Sequence, residues 1–230
     1  KPLTRTISEA RILTEAARRY KVVTQMGNQG HSGEGVRLIE EWIAAGAIGP
    51  VREVHSWTNR PIWPQGMPRP TDAPGVPDGF DWDLWVGPSP LRPYHPTYHP
   101  FGWRAWQDFG AGALGDMGCH VLDAAFQVLK LGAPSSAVAS LGYNVLPMPD
   151  EKGTLVTRRV QYDDSYPPSS VVHMTFPARG EMPPVKLHWY DGGILPERPE
   201  DLEPERRVPT SGTIFVGDKG KLWCETYSES

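Results

Sequence analysis

The segment GAGALGDMGCHVLDAAFQVLK, residues 110–130, constrains this chain more than any other stretch. It opens as a glycine-rich loop and continues with helical spacing. Met117, Val121, Ala124, Ala125, Val128 and Leu129 would cover most of the circumference of such a helix, and a helix that is apolar nearly all round is a buried one. At about 100° per residue, Asp116, His120, Asp123 and Gln127 fall within roughly 60° of one another and form one polar stripe. Buried polar groups need partners or a purpose. Asp116 and His120, one turn apart, can meet on the helix face. There a carboxylate fixes the orientation of an imidazole and raises its basicity, which suits a general base. The structural alternative makes Asp116 a helix cap and His120 a hydrogen-bonded core histidine. Glycines at 110, 112, 115 and 118 shift the reading towards chemistry, because they clear side chains from the approach to the helix.

The rest of the composition excludes several classes. A chain of 230 residues, 39% of them hydrophobic, can bury a core, either as one large domain or as a piece of one domain joined to another. Twenty-three basic residues against 27 acidic ones leave a net charge of −4, and no Lys/Arg run tracks a phosphate backbone, so nucleic acid is not an expected partner. No apolar window approaches the ~20 residues of a membrane span, and the first 20 residues are charged and helical in pattern rather than signal-like. Cys119 and Cys224 lie far apart without metal-ligand spacing, and are expected as free buried thiols; no metal site is expected.

Along the chain, Thr6 followed by Glu9 forms a capping box, and Ile12, Leu13, Ala16, Ala17 and Tyr20 follow at helical spacing. KVVTQMG, residues 21–27, reads as a buried parallel strand. SGEGVRLIEEWIAAG reads as a second helix, with Val36, Ile39, Trp42 and Ile43 inward and Gly46 as its stop. From Val51 the texture changes to strand-like runs: VREVHSWTNR, SAVASLGYNV, LVTRRVQYDD, SSVVHMTFPA, PVKLHWYD, and GTIFVG with KLWCE. These predict a mainly antiparallel open sheet with one face covered by helices. The fold class is thus α/β (α+β), with a boundary near residue 50: residues 1–50 read as the tail of an α/β sheet and 51–230 as the mainly antiparallel part.

Residues 61–109 hold eleven prolines and ten aromatic residues without a sustained period. So much aromatic surface is expected to pack rather than stay in water, as part of a functional loop or of an oligomer contact. The loop GNQGHSGEG, residues 27–35, lies where α/β proteins place ligands, but its spacing fits neither a dinucleotide fingerprint nor a P-loop. His31 reads as a loop histidine, and VGDKGK as a turn between two strands.

KPLTRTISEARILTEAA, KVVTQMGNQGHS, WDLWVGPSP, YHPFGWRAWQDFG and GALGDMGCHVLD together resemble, in order and over essentially the whole chain, the Gfo/Idh/MocA oxidoreductases. In that family a Glu-Lys-Pro motif follows the fifth Rossmann strand; Lys1 and Pro2 match its last two residues. The resemblance implies that the dinucleotide fingerprint precedes Lys1 and that further sheet and a helix follow Ser230. It also implies a catalytic lysine at Lys1 and a catalytic Asp-x-x-x-His pair at Asp116 and His120, with NAD or NADP as cofactor. Expected around them are substrate contacts from Trp85, His95, His99, Trp103, Arg104 and Asp123, and cofactor contacts from Lys1, Pro2, Asn28 and Gln29. The implied function is hydride transfer from a secondary hydroxyl of a sugar, glycoside or cyclic polyol, in a homo-oligomer built through the C-terminal sheet. Two alternatives share the residues: a glycosidase that oxidises the sugar transiently, and a non-catalytic sugar-binding or regulatory paralogue.

Overall fold

The computed structural model describes residues 3–160 and 163–228. Six strands form one open sheet: β1 Val51–Trp57, β2 Ser136–Leu141, β5 Ser170–Phe176, β6 Val185–Tyr190, β7 Gly212–Gly217 and β8 Lys221–Cys224, in the order β2-β5-β6-β1-β7-β8. The β1–β6 pair is parallel and every other pair antiparallel. A separate hairpin joins β3 Asn144–Pro149 to β4 Leu155–Val160. Its turn is closed by Asp150, whose Oδ1 accepts from the amides of Lys152 and Thr154, each at 2.8 Å. The mainly antiparallel sheet is the architecture read from the strand pattern.

Helices cover one face. Val54 stands opposite both Leu187 and Phe215 in register, and all three are fully buried. Val36 and Ile39 of α2 (Glu34–Ala44) and Ala124, Ala125 and Val128 of α5 (Asp123–Val128) pack into the same core. The inner face expected of α2 is observed at those two positions and at the half-buried Ile43, whereas Trp42 is 47% exposed. Helix α4 (Gly112–Val121) rests on β6 through Met117 and Val121 against Trp189, and Thr213 Oγ1 donates to the Val121 carbonyl at 2.8 Å. Trp189 Nε1 donates in turn to Asp191 Oδ2 at 2.9 Å, and Ser170 Oγ to the same oxygen at 2.7 Å.

Two readings, the strand at 21–27 and the single helix at 110–130, need correction. Residues 21–27 form no strand, and Val23 is 97% exposed; a strand needs a neighbour for its N–H and C=O groups, and none among the described residues lies beside it. Helix α1 (Ile7–Tyr20) forms with its Thr6/Glu9 capping box, yet buries no residue. Its apolar stripe covers nothing in the described chain. Residues 110–130, read as one helix, are two segments meeting at Leu122.

The aromatic segment builds a second core. Trp63, Trp82, Tyr98 and Trp106 are buried, with Phe80, Trp85, Tyr94 and Phe109 packed against them. Little regular structure is involved: α3 (Trp82–Val86) and a 3₁₀ helix (Gly102–Ala105). No helix of the described residues is long and apolar enough to cross a membrane.

Candidate active site

Two glycines bring α4 close to its neighbours. A Cβ on Gly110 would stand 2.7 Å from Arg104 Cα and from its carbonyl oxygen, so only a glycine lets this backbone run against the 3₁₀ helix. Gly112, with φ of +63°, starts α4 beneath Tyr166, where a Cβ would lie 2.7 Å from the ring. The 3₁₀ helix therefore sits directly beside the first turns of α4.

That closeness joins Arg104 to Asp116. Arg104 Nε donates to Asp116 Oδ1 at 3.0 Å and Nη1 to the Phe101 carbonyl at 3.1 Å. The guanidinium carbon lies 4.4 Å from the ring centroids of both Phe101 and Trp103. These groups border a cavity of about 590 Å³, shared with Thr4, Arg5 and Met26 from the start of the chain and with Cys119 of α4. Arg5 is tied back by hydrogen bonds from Nη2 to Ser89 Oγ (3.3 Å) and to the Asp108 carbonyl.

Further along the helix, three contacts dock loop 27–33. Asn28 Nδ2 donates to the Cys119 carbonyl at 2.8 Å, His120 Nδ1 lies 3.1 Å from the Gln29 carbonyl, and His31 Nδ1 lies 2.8 Å from Asp123 Oδ2. A carbonyl only accepts, so His120 Nδ1 carries a hydrogen and, in the neutral ring, Nε2 is the basic nitrogen. The imidazole is 9% exposed and meets Tyr227 edge-on at 5.3 Å. The Gln29 contact thus fixes the tautomer and the orientation of the ring.

The expected site residues thus fall into groups. Trp103, Arg104 and Asp116 line the cavity, and His120 lies one turn beyond Asp116 on α4. Asn28, Gln29 and Asp123 hold loop 27–33 against the helix. In the described contacts, Gln29 supplies the partner of His120 Nδ1, and Asp116 faces Arg104. Trp85, His95 and His99 do not line the cavity. Trp85 stacks on Trp82 at 4.8 Å, His99 on Phe80 at 4.4 Å, and His95 Nε2 lies 3.4 Å from Asp72. Packing of one aromatic side chain on the next has drawn all three into the second core. Lys1 and Pro2 lie outside the described residues. Arg5, Met26 and Cys119 are cavity residues that sequence reasoning missed, because nothing local marks a side chain whose neighbours are some 80 to 110 positions away. His31, read as a loop histidine, is the partner of Asp123.

Over residues 55–163 this architecture matches a family described as an oxidoreductase family, C-terminal alpha/beta domain. Those residues of the chain match the Gfo/Idh/MocA oxidoreductase family. Among solved structures it is similar to a super-repressor mutant of Gal80p from Saccharomyces cerevisiae, with a TM-score of 0.54 and 16% identity over 99% of this chain and 47% of the other. It is likewise similar to an NAD binding oxidoreductase from Klebsiella pneumoniae, with a TM-score of 0.53 and 20% identity over 98% of this chain and 46% of the other. Both likenesses are of fold. The chain spans about half the length of these solved chains. No curated protein matches it.

Proposed function

We propose that the whole protein is an NAD(P)-dependent oxidoreductase acting on a secondary hydroxyl of a sugar, glycoside or cyclic polyol. The observation that carries this reading is His120, buried, fixed through Nδ1 by the Gln29 carbonyl, and one turn beyond an Asp116 that borders a cavity. His120 Nε2 takes the proton of the substrate hydroxyl as general base. Asp116, one turn earlier on the same helix, contributes negative charge that stabilises the imidazolium. Lys1, by the family resemblance, stabilises the developing alkoxide. Trp103 offers an apolar wall for a sugar ring.

A nicotinamide supplies hydride acceptance when bound. Thr4 and Met26, which border the same cavity as Asp116, are the described residues that would flank it, and they fit an apolar ring edge. The loop at 27–33 is committed to α4 and does not serve as a phosphate cradle. In this reading residues 1–50 complete a dinucleotide domain and 51–230 form the substrate domain.

The test is to incubate the whole protein with a panel of sugars, glycosides and cyclic polyols and with NAD or NADP, following reduced cofactor and released aglycone together. Substrate-dependent accumulation of NADH or NADPH is expected. Aglycone release without net reduced cofactor would convert the reading into a glycosidase, and no turnover across the panel would overturn it.

A further inference from the structure

Arg104 is held more firmly than an arginine that only neutralises a carboxylate needs to be. Nε is fixed by Asp116 and Nη1 by the Phe101 carbonyl, and the Phe101 and Trp103 rings each lie within 4.4 Å of the guanidinium carbon. Two of its five N–H donors are thereby used. Nη2 makes no hydrogen bond among the described residues, and the side chain, on the wall of the 590 Å³ cavity, is still 23% exposed. A guanidinium pinned in this way has already lost its rotamer freedom, so a ligand that meets the remaining donors does so without ordering the side chain.

The charges around it point to the ligand. The described cavity lining carries Arg5 and Arg104 against a single carboxylate, Asp116. A neutral polyol entering this space displaces water from the surplus cation and gives it only hydroxyl contacts. A carboxylate neutralises it and forms charge-assisted bonds, which are about twice as strong as neutral ones. Among the described lining residues one positive charge is in surplus, and a carboxylate monoanion neutralises it.

We infer that this cavity selects a sugar bearing a carboxylate, of the uronic or aldonic acid class, and that Arg104 is the residue that reads it. The inference rests on the reading of the cavity as the substrate site. Arg104 then has two duties, holding Asp116 by Nε and receiving the substrate anion on its remaining donors.

Calorimetry separates these duties. Glucuronate, galacturonate, gluconate, glucose and glucose 6-phosphate are titrated into the whole protein saturated with nicotinamide cofactor, as wild type, Arg104→Lys and Arg104→Gln. At least one sugar acid is expected to bind the wild type about tenfold or more tighter than glucose and glucose 6-phosphate. Arg104→Gln is expected to bring that ratio close to one, and Arg104→Lys, which keeps the charge without the fork, to leave an intermediate ratio. Equal wild-type affinities for the acids and glucose would overturn the inference. So would tighter binding of the phosphate, no binding of any acid, or parallel losses for all ligands in both variants, the pattern of a purely structural role through Asp116. Because the wild-type ratio stands without either variant, misfolding of one does not decide the matter. A preserved ratio without hydride transfer would remove the proposed reaction and leave this inference, whereas hydride transfer from neutral sugars alone would do the reverse.

Discussion

Asp191 shows what a buried carboxylate does when its role is structural. It is 3% exposed and accepts from Ser170 through both its amide and its hydroxyl, and from Trp189 Nε1. Burial raises its pKa, against those hydrogen bonds, which lower it. Asp191→Ala leaves three donors without a partner where β5 begins and β6 ends, so a loss of about 3 kcal/mol is expected in urea unfolding, with Asp191→Asn losing less. The two cysteines differ by the same logic of burial. Cys224 is 5% exposed and burial pushes its thiol up to about 12, whereas Cys119 is half-buried on the cavity wall. Thiolate is the reactive form, so native protein treated with iodoacetamide at about pH 8 is expected to label at Cys119 alone by mass spectrometry. Labelling of Cys224 before unfolding would contradict this burial. At this scale the sequence exposed Asp116, His120 and Asp123 through their helical spacing, and the structure assigned each a different partner. That assignment was illegible because Arg104, Gln29 and His31 reach α4 from separate segments.

Helix α4 is where glycine spacing became geometry. Gly110 and Gly112 were read as clearing an approach, and what approaches is the backbone of Arg104 at one and the ring of Tyr166 at the other. Gly110→Ala puts a methyl group 2.7 Å from backbone atoms that cannot swing away. The expected result is a stability loss of about 1–3 kcal/mol together with weaker ligand binding, since the 3₁₀ helix that carries Arg104 must shift. Unchanged unfolding and binding would show that the two segments are not in contact. Strands were legible because alternation survives in short runs; β6 is buried at every second residue. The supposed strand at 21–27 failed for a non-local reason, as continuous apolarity marks a strand only when a sheet receives it. The aromatic segment was legible as packed but not in detail, because stacking has no sequence period. His95 and His99 therefore could not be separated in advance from ligand-facing residues.

Across the whole molecule, the two faces of the sheet differ in character. Opposite the helices, His55, His188 and His173 stand in one cross-strand row. Glu53 Oε1 lies 3.1 Å from His55 Nε2 and 2.9 Å from His188 Nε2, with the Tyr190 hydroxyl 3.0 Å from His55 Nδ1. Burial, partly offset by Glu53, holds His55 and His188 below the usual 6.5. The unfolded chain then binds protons first as pH falls, so this contribution to stability is complete above about pH 6.5 and is lost progressively below it, towards the depressed folded values. Urea midpoints are expected to be lower at about pH 5.5 than at about pH 7.5, with the difference reduced in a His55→Gln/His188→Gln double variant; an unchanged difference would place the titration elsewhere. The proposed chemistry lies on the other side of the sheet, where α4 carries His120 one turn beyond the cavity-lining Asp116. Its most direct test is single-turnover hydride transfer by the whole protein across pH, together with the dissociation constant for NADH, in wild type and His120→Asn. Transfer in His120→Asn is expected to slow by about 10²–10⁴-fold with NADH affinity preserved, and Asp116→Asn to produce a smaller loss with an altered pH profile. Unchanged transfer in His120→Asn would remove this residue from the chemistry, and a collapse of NADH binding would assign it to cofactor holding or folding.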